Sequence, residues 1–175
     1  MKDNLNIKGT VFLKLEKQNG DIQHKVVENV VVNTGKEFFA KKIFNDSFTG
    51  TVAKIGIGPS ETNQTVNDTI TSFNANSVIK KAIDTTSSGI EDEGDGGVSN
   101  QLDYVTTFFD LAEETLGGNT PVAIQEFALI GLNDDSPQSE VLLCRTTFAD
   151  DNSPIEGFTK TTGDIVTITW RLTIN

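Results

Sequence analysis

Hydrophobic and polar residues alternate without a break over residues 164–174, close to the end of the sequence. The apolar positions of this segment are Val166, Ile168, Trp170, Leu172 and Ile174. A period of two residues is that of a β-strand with one buried face and one face that meets water or a partner. We therefore predict a strand that lies inside a sheet or at a subunit contact, with Trp170 buried and Arg171 on the opposite face.

Seven further segments carry the apolar or alternating pattern of strands. Residues 10–16 and 22–32 flank Asn19-Gly20, a dipeptide typical of hairpin turns because both residues tolerate a positive φ. The remaining segments are 51–60, 77–83, 101–111, 121–132 and 140–148. Short strands repeated along a chain are typical of antiparallel sandwiches and barrels. The sequence predicts an all-β fold, an antiparallel β-sandwich or barrel-like domain of about seven to eight strands with one short helix.

The one helical pattern covers residues 35–44. Its apolar side chains on one face are Phe38, Phe39 and Ile43, with lysines largely opposite. Thr34 and Glu37 have the spacing of a capping box, in which the hydroxyl and the carboxylate each accept a hydrogen bond from an otherwise unpaired backbone N–H. We predict a short helix that begins near Thr34 and packs on the sheet through its phenylalanines.

Two long polar segments separate the predicted strands. Residues 60–77 are rich in Asn, Thr and Ser, and residues 84–100 are rich in Gly and acidic residues. Long loops are uncommon in compact domains and are often functional or ordered on assembly. Because 175 residues suit one domain, we predict a single β-sandwich domain over 1–175 with a long polar insert over about 84–120.

The chain is acidic, with 14 Lys and Arg against 25 Asp and Glu and a net charge of −11. Phosphate binding requires clustered cations, so this balance argues against a nucleic-acid partner, and it suits a surface that repels DNA and anionic membranes. No segment reaches the ~18 consecutive apolar residues of a membrane span, and the first residues lack the apolar run of a signal peptide. We expect no membrane partner, and synthesis and folding in a cytoplasm.

Residues that carry chemistry are few. His24 is the only histidine, and no GxSxG motif, phosphate-binding glycine loop or HExxH motif accompanies it. Cys144 is the only cysteine, which excludes an intrachain disulfide and a cysteine-based zinc site and fits a small buried side chain. Arg145 and Arg171 are interpreted as partners of acids on neighbouring strands. We expect no catalytic residue, no metal, no cofactor and no enzyme activity.

The acidic loop at residues 90–97 allows two interpretations. Glu91, Asp92, Glu93 and Asp95 can supply the oxygen ligands that Ca²⁺ prefers, and the neighbouring glycines permit a tight wrap. Their spacing does not match a helix–loop–helix calcium site, which needs acids at alternating positions and a distal glutamate. A solvated acidic loop is the simpler interpretation.

Four blocks, taken in order, resemble a group of small virion proteins of tailed bacteriophages. In those proteins an N-[AT]-G sequence opens a helix, an AIGTG-like strand precedes a Thr-rich loop, and the chain closes with a strand like LTVTWTLTI. The blocks here are 31–44, 53–69, 124–148 and 160–174, which include Asn33-Thr34-Gly35, Ile55–Gly58, Leu143–Phe148 and Val166–Ile174. The resemblance covers most of the chain after residue 30, and the insert at 84–120 departs from it.

The resemblance implies a structural part of a virion without enzyme activity: a capsid decoration or head-associated protein first, then a neck, tail or fibre subunit. It implies two kinds of partner, other copies of this chain in a homo-oligomer such as a trimer or larger ring, and virion proteins such as the major capsid protein or neck and tail proteins. The long polar segments also favour a homo-oligomer, because contacts between copies offset the entropy lost in ordering them. The expected location is the virion, after assembly in the host cytoplasm.

A β-sandwich module that binds carbohydrate on a host surface is the alternative from another class. Such a module needs exposed aromatic rings as a platform for the sugar. Tyr104 and Trp170 are the only Tyr and Trp residues, and the alternation places Trp170 on an apolar face. The carbohydrate interpretation therefore ranks below the structural one.

Overall fold

The part of the protein that the structure describes is antiparallel β-structure with one helix. The computed structural model describes residues 6–58, 79–90, 100–109, 122–147, 158–161 and 163–174. Its strands of four residues or more are β1 (Ile7–Glu16), β2 (Ile22–Val31), β3 (Thr51–Gly58), β4 (Ile79–Ala82), β6 (Gln101–Phe108), β8 (Glu126–Leu132), β9 (Glu140–Thr147) and β11 (Ile165–Ile174). The short strands are β5 (Gly89–Ile90), β7 (Val122–Ile124) and β10 (Phe158–Lys160), and the helix is α1 (Asn33–Phe44). The all-β prediction with one short helix is confirmed.

Nine of these strands form one sheet in the order β4-β3-β8-β9-β2-β1-β11-β6-β5. The strand β2 pairs with different neighbours along its length. Residues 22–29 of that strand pair with β1, whereas Val30 and Val31 pair with Arg145 and Cys144 of β9. The two halves that meet at this junction are β2-β1-β11-β6 and β9-β8-β3-β4, and their inner faces enclose the core.

The two ends of the sheet order approach each other at the turn that follows β4. The backbone N–H of Asp84 donates to the Val105 carbonyl of β6 at 2.8 Å, and the Thr106 hydroxyl donates to the Ala82 carbonyl at 3.2 Å. The hydroxyls of Thr86 and Ser87 donate to the Asp84 carboxylate and lower its pKa to about 2. These bonds nearly close the sheet into a barrel.

The closing strand, β11, lies between β1 and β6, as the alternation predicts. Trp170 lies opposite Val11 of β1 and Tyr104 of β6 in the register. The fully buried side chains of β11 are Val166, Ile168, Trp170 and Leu172, while Ile174 is half-buried. They pack with the inward residues of the other half, which include Ile55, Ile57, Phe127, Leu129 and Leu143. In β1 and β11 one apolar face builds the core, whereas β8 and β9 are buried on both faces, and Ala128, Ile130 and Leu142 form a second buried cluster with Val32.

The predicted hairpin at Asn19-Gly20 is confirmed. The backbone N–H of Lys17 donates to the Asp21 carbonyl at 2.8 Å, and that of Gly20 donates to the Lys17 carbonyl at 2.9 Å. Gly20 has a φ of +92°, a conformation that side chains with a Cβ rarely adopt. The turn residue therefore allows β1 and β2 to pair in register.

Two short strands, β5 and β10, and the division of one predicted strand were not anticipated by the sequence pattern. The predicted strand over 121–132 is two strands, β7 and β8, separated at Gln125, whose N–H donates to the Gly58 carbonyl at 3.0 Å. β7 pairs with β10 in a separate ribbon, and β5 lies in the segment expected to be loop. Strands of two or three residues are too short to show a period of two. The predicted loop at 60–77 and most of the acidic loop lie outside the described residues.

The helix begins at Asn33, directly after β2, and the predicted capping box is wrong. Val32, the residue before the helix, makes no side-chain cap, and the Thr34 hydroxyl donates instead to the Leu142 carbonyl of β9 at 2.6 Å. Glu37 forms an ion pair with Lys41 at 2.8 Å. The Val32 N–H still bonds to Leu143, so the sheet positions the first turn and directs Thr34 towards β9.

The helix packs closely on β9 through a glycine and its phenylalanines. A Cβ on Gly35 would lie 2.0 Å from the Leu143 carbonyl oxygen, so only glycine allows this approach. Phe38 and Phe39 are buried, as predicted, but Ile43 is largely exposed. Among the described residues no helix is long and apolar enough to span a membrane.

Replacing Ile168 by Ala should test the register of β11. The variant removes a fully buried side chain and is expected to lose about 2–5 kcal/mol of unfolding free energy. Thr169→Ala, on the outward face, is the matched control and should change stability by less than about 0.5 kcal/mol. Urea unfolding followed by circular dichroism measures both, and an equal loss in the two variants would contradict the register.

Replacing Thr34 by Ala should test its contact with β9. The change leaves the Leu142 carbonyl without the hydroxyl donor, and we expect a loss of about 0.5–1.5 kcal/mol. Thr34→Ser retains the hydroxyl and should recover most of that loss. If both variants melt like the wild type, the hydrogen bond does not contribute to stability.

Candidate functional site

An apolar cavity lies between α1 and the sheet, at the end of the barrel where β1 begins and β11 ends. Its volume is about 260 Å³. The helix contributes Phe38, Phe39, Lys42 and Ile43, and the sheet contributes mainly Val52, Leu102, Tyr104, Leu172 and Ile174. Apolar cavities with a few polar groups at the mouth of a barrel are common ligand or partner sites.

The cavity follows from how the end of α1 is held. The Lys42 ammonium donates to the Gly50 carbonyl at 2.9 Å, which ties the last helical turn to the start of β3. Phe38 packs edge-to-face on Phe48, with ring centroids 5.1 Å apart. These contacts draw the helix towards β3 and β9 and leave space on the side of β6 and β11.

Tyr104 lines this cavity from the middle of β6. Burial raises the pKa of its phenol above the usual value, so the hydroxyl stays protonated at neutral pH. The wall that Tyr104 forms is therefore uncharged. Together with Leu102 and Leu172 it makes a surface suited to an apolar group rather than to an ion.

One exposed apolar side chain lines the cavity, and a second follows it at the end of α1. Ile43 lines it and is 45% exposed, and the next residue, Phe44, is 78% exposed. We call Ile43, Phe44 and the cavity mouth the α1 patch. Phe44 is more exposed than any other large hydrophobic residue in the described ranges. Exposed apolar groups that cluster beside a cavity mark interaction sites.

A second apolar surface follows β2. Residues 22–29 pair with β1 on one side. On the other side the Thr146 hydroxyl of β9 donates to the Glu28 carbonyl at 2.8 Å, and no strand of the described ranges pairs with residues 22–27. We call this the open β2 edge. Ile22 and Val26 are 52% and 64% exposed on its outward face, and His24 lies exposed between them, as expected for a surface histidine.

The two arginines singled out in the sequence form the predicted cross-strand ion pairs. Arg171 binds Asp103 through two hydrogen bonds of 2.8 and 2.7 Å, and Arg145 binds Glu126 at 2.6 Å. Both carboxylates are buried, and the Arg171 guanidinium also lies over the Phe12 ring. Each arginine therefore neutralises a buried charge and orients strands within the sheet.

A third buried carboxylate, Asp164, fastens the β1–β2 hairpin to the start of β11. Burial opposes its ionisation, but hydrogen bonds from the Thr161 backbone and hydroxyl, the Gln18 backbone N–H and the Lys17 ammonium outweigh burial. They hold the pKa of Asp164 well below its usual range. Its oxygens are used by these donors, so the group supports the fold.

The remaining sequence candidates do not converge on a site. Cys144 is fully buried, and burial raises the pKa of its thiol, so it acts as the small apolar side chain that the sequence predicts. Trp170 is also fully buried and cannot serve as a sugar platform. The acidic residues at 91–95 lie outside the described ranges. Within those ranges no group of three or more His, Cys, Asp or Glu residues is arranged to hold a metal ion.

The α1 patch was not predicted from the sequence, although one signal was present. Ile43 and Phe44 are adjacent at the end of the helix, and two successive residues of a helix point about 100° apart. Both cannot face the sheet together with Phe38 and Phe39. An apolar residue left over in this way indicates a second contact.

No protein-family model, no curated protein and no solved structure matches this chain. The resemblance to phage virion proteins consequently stays a prediction based on the order of its motifs.

The Asp164 contacts predict a specific pH dependence. The folded state holds the pKa of Asp164 below its unfolded value of about 3.9, so the stabilisation is complete above that pH and is lost as the pH falls below it. Asp164→Asn should therefore be less stable than the wild type at neutral pH, with a gap that narrows in acid. Urea midpoints along a pH series measure this gap.

The exposed Asp134, in the turn between β8 and β9, provides the control. Asp134→Asn should stay close to the wild type across the same series. A gap for Asp164→Asn that is constant with pH would show that its ionisation does not stabilise the fold.

Proposed function

We propose that this protein is a structural component of a tailed-phage virion, assembled in multiple copies. A capsid decoration or head-associated position ranks first, and a neck, tail or fibre position second. The order of the four motifs supports this proposal, and α1, β3 and β11 lie where those motifs place a helix, a strand and a closing strand.

The observation that carries the proposal is the open β2 edge. No strand of the described ranges pairs with residues 22–27 on that side, so a further strand can add there, and main-chain hydrogen bonds then provide affinity while alternate side chains provide specificity. Ile22 and Val26 would lose water on such pairing, at a gain of roughly 25 cal/mol per Å² of apolar area. A long strand edge of this kind suits a subunit built into a larger assembly.

Charge supports the same role. A net charge of −11 keeps the surface from binding DNA. A subunit of a particle that packages DNA needs this property, because DNA bound to the outer proteins would not be packaged. The charge also keeps free copies soluble before assembly. Contacts with the particle then depend on local apolar surfaces such as the open β2 edge.

Val26→Glu should reduce incorporation into particles. The variant places a charge on the edge strand without disturbing the core, because Val26 is already exposed. We expect the number of copies per purified particle to fall about tenfold, the effect of a loss near 1.4 kcal/mol. Quantitative mass spectrometry of particles measures this number, and imaging of the same particles locates the protein.

Thr169→Glu is the matched control, with the same added charge on the outward face of an internal strand. It should be incorporated like the wild type. If the protein is absent from purified particles, the proposed virion role is wrong. If the wild type, Val26→Glu and Thr169→Glu are present in equal numbers, the open β2 edge does not make the contact.

A further inference from the structure

We propose that two copies of this protein pair with each other through the open β2 edge, antiparallel, with His24 of one copy opposite His24 of the other. This contact rests on the assembly role proposed above, and its partner is a second copy of the chain. Ile22 of each copy then lies opposite Val26 of the other, so both exposed apolar residues of the edge become covered. The sheets of the two copies join into one continuous sheet.

Alternate residues of β2 direct their backbone groups towards the open side. In an antiparallel strand the N–H and C=O of one residue point to the same neighbouring strand, and those of the next residue point the opposite way. The Glu28 carbonyl accepts a hydrogen bond from the Thr146 hydroxyl of β9, so it faces away from β1. Ile22, His24 and Val26 lie at even spacings from Glu28 and therefore face the open side as well.

The length of the open edge fits a pair centred on His24. At one end the Asp21 carbonyl already accepts from the Lys17 backbone N–H within the hairpin turn. At the other end the Glu28 carbonyl is already bound by β9. A strand pair centred on His24 extends from Ile22 to residue 26 in each copy. It uses the backbone groups that face the open side between these two limits and requires none beyond them.

The other antiparallel registers fit less well. A pair centred on Lys25 places two ammonium groups opposite each other, and like charges in that position are destabilising. A pair centred on Val26 requires Glu28, whose carbonyl is already bound by β9. A pair centred on Gln23 places Val26 opposite the hairpin turn of the other copy and leaves it unpaired. In the register centred on His24, by contrast, Lys25 lies opposite the neutral Gln23 side chain.

The side chains favour a second copy as the occupant. Along the outward face the order is apolar, polar, apolar from Ile22 through His24 to Val26, which is unchanged when the strand direction is reversed. Val26 lies opposite Phe12 of β1, so Ile22 of the second copy would continue an apolar row across both molecules. Two-fold symmetry forms this row twice. A different strand needs the same spacing of apolar residues, whereas every copy of this chain carries it.

Cysteine cross-linking tests the register directly. In His24→Cys the two introduced thiols would lie opposite each other, within the Cα separation of about 4.4–6.8 Å that a disulfide spans. With oxidised glutathione as the oxidant, we expect a covalent dimer on a non-reducing gel. The native Cys144 is fully buried and should not contribute, which the wild type under the same conditions verifies.

Val26→Cys is the matched control for this experiment. Its two thiols would lie four positions apart along the paired strands, roughly 13 Å, which is too far for a disulfide. A mixture of the Val26→Cys and Ile22→Cys proteins should cross-link, because these positions oppose each other. The inference is wrong if His24→Cys does not cross-link, or if Val26→Cys alone cross-links as readily.

Sedimentation equilibrium over a concentration series measures the association without introduced thiols. We expect a monomer–dimer equilibrium for the wild type and association at least about tenfold weaker for His24→Pro. Proline removes the N–H that faces the open side and leaves the pairing of β2 with β1 in place. His24→Val retains this N–H and is the control, which should associate at least as tightly as the wild type.

Circular dichroism melts verify that the variants are folded. If His24→Pro is not, His24→Lys replaces it, since it places two ammonium groups opposite each other and should weaken association to a similar extent. A wild type that stays monomeric at every concentration contradicts the contact. Equal association of the weakened variant and His24→Val contradicts it as well.

The particle measurements above distinguish this contact from the proposed function. If particles contain the protein but His24→Cys does not cross-link, the contact between copies is wrong and the virion role stands. If His24→Cys cross-links but the wild type is absent from purified particles, the virion role is wrong and the contact stands.

Discussion

The pairing of Val30 and Val31 with β9 is the constraint on which the rest of the molecule depends. It joins the two halves of the sheet and sets the point where β2 ends and α1 begins. Because it uses only the last two residues of β2, no strand of the described ranges pairs with residues 22–27 on that side. Because the helix starts at once, Gly35 must pack against β9, and the last turn projects its apolar residues outward. Both candidate surfaces follow from one junction.

Buried ion pairs stabilise this geometry by joining residues from different strands and turns. Asp103, Glu126 and Asp164 are each buried and each paired with a basic side chain from another strand or turn. For the two arginine pairs, removing one partner leaves a costly unpaired charge, whereas the intact pair adds little net stability. Their main effect is on register: a shift of β11 by one residue would bury Arg171 and expose Trp170 at the same time.

The sequence was informative where one physical signal dominated. Strict alternation located β11 and its buried face, and Asn19-Gly20 located the first turn, because both depend on local geometry. The capping box failed because the contact of Thr34 with β9 is tertiary and outweighs the local alternative. The strands β5 and β10 were missed because two or three residues carry no period, and the division of the predicted strand 121–132 at Gln125 was missed as well. The cavity could not be predicted from the sequence. Its walls come mainly from α1, β3, β6 and β11, and no local pattern determines how these elements lie relative to one another.

The position of Trp170 has a spectroscopic consequence. It is the only tryptophan, it is fully shielded from solvent, and its indole nitrogen has no hydrogen-bond partner in the part of the chain that the structure describes. An indole in dry, apolar surroundings emits at shorter wavelengths than one in water. Fluorescence excited at wavelengths that tyrosine does not absorb therefore comes from Trp170 alone, which lies between β1 and β6. Its emission wavelength reports whether water has entered the barrel.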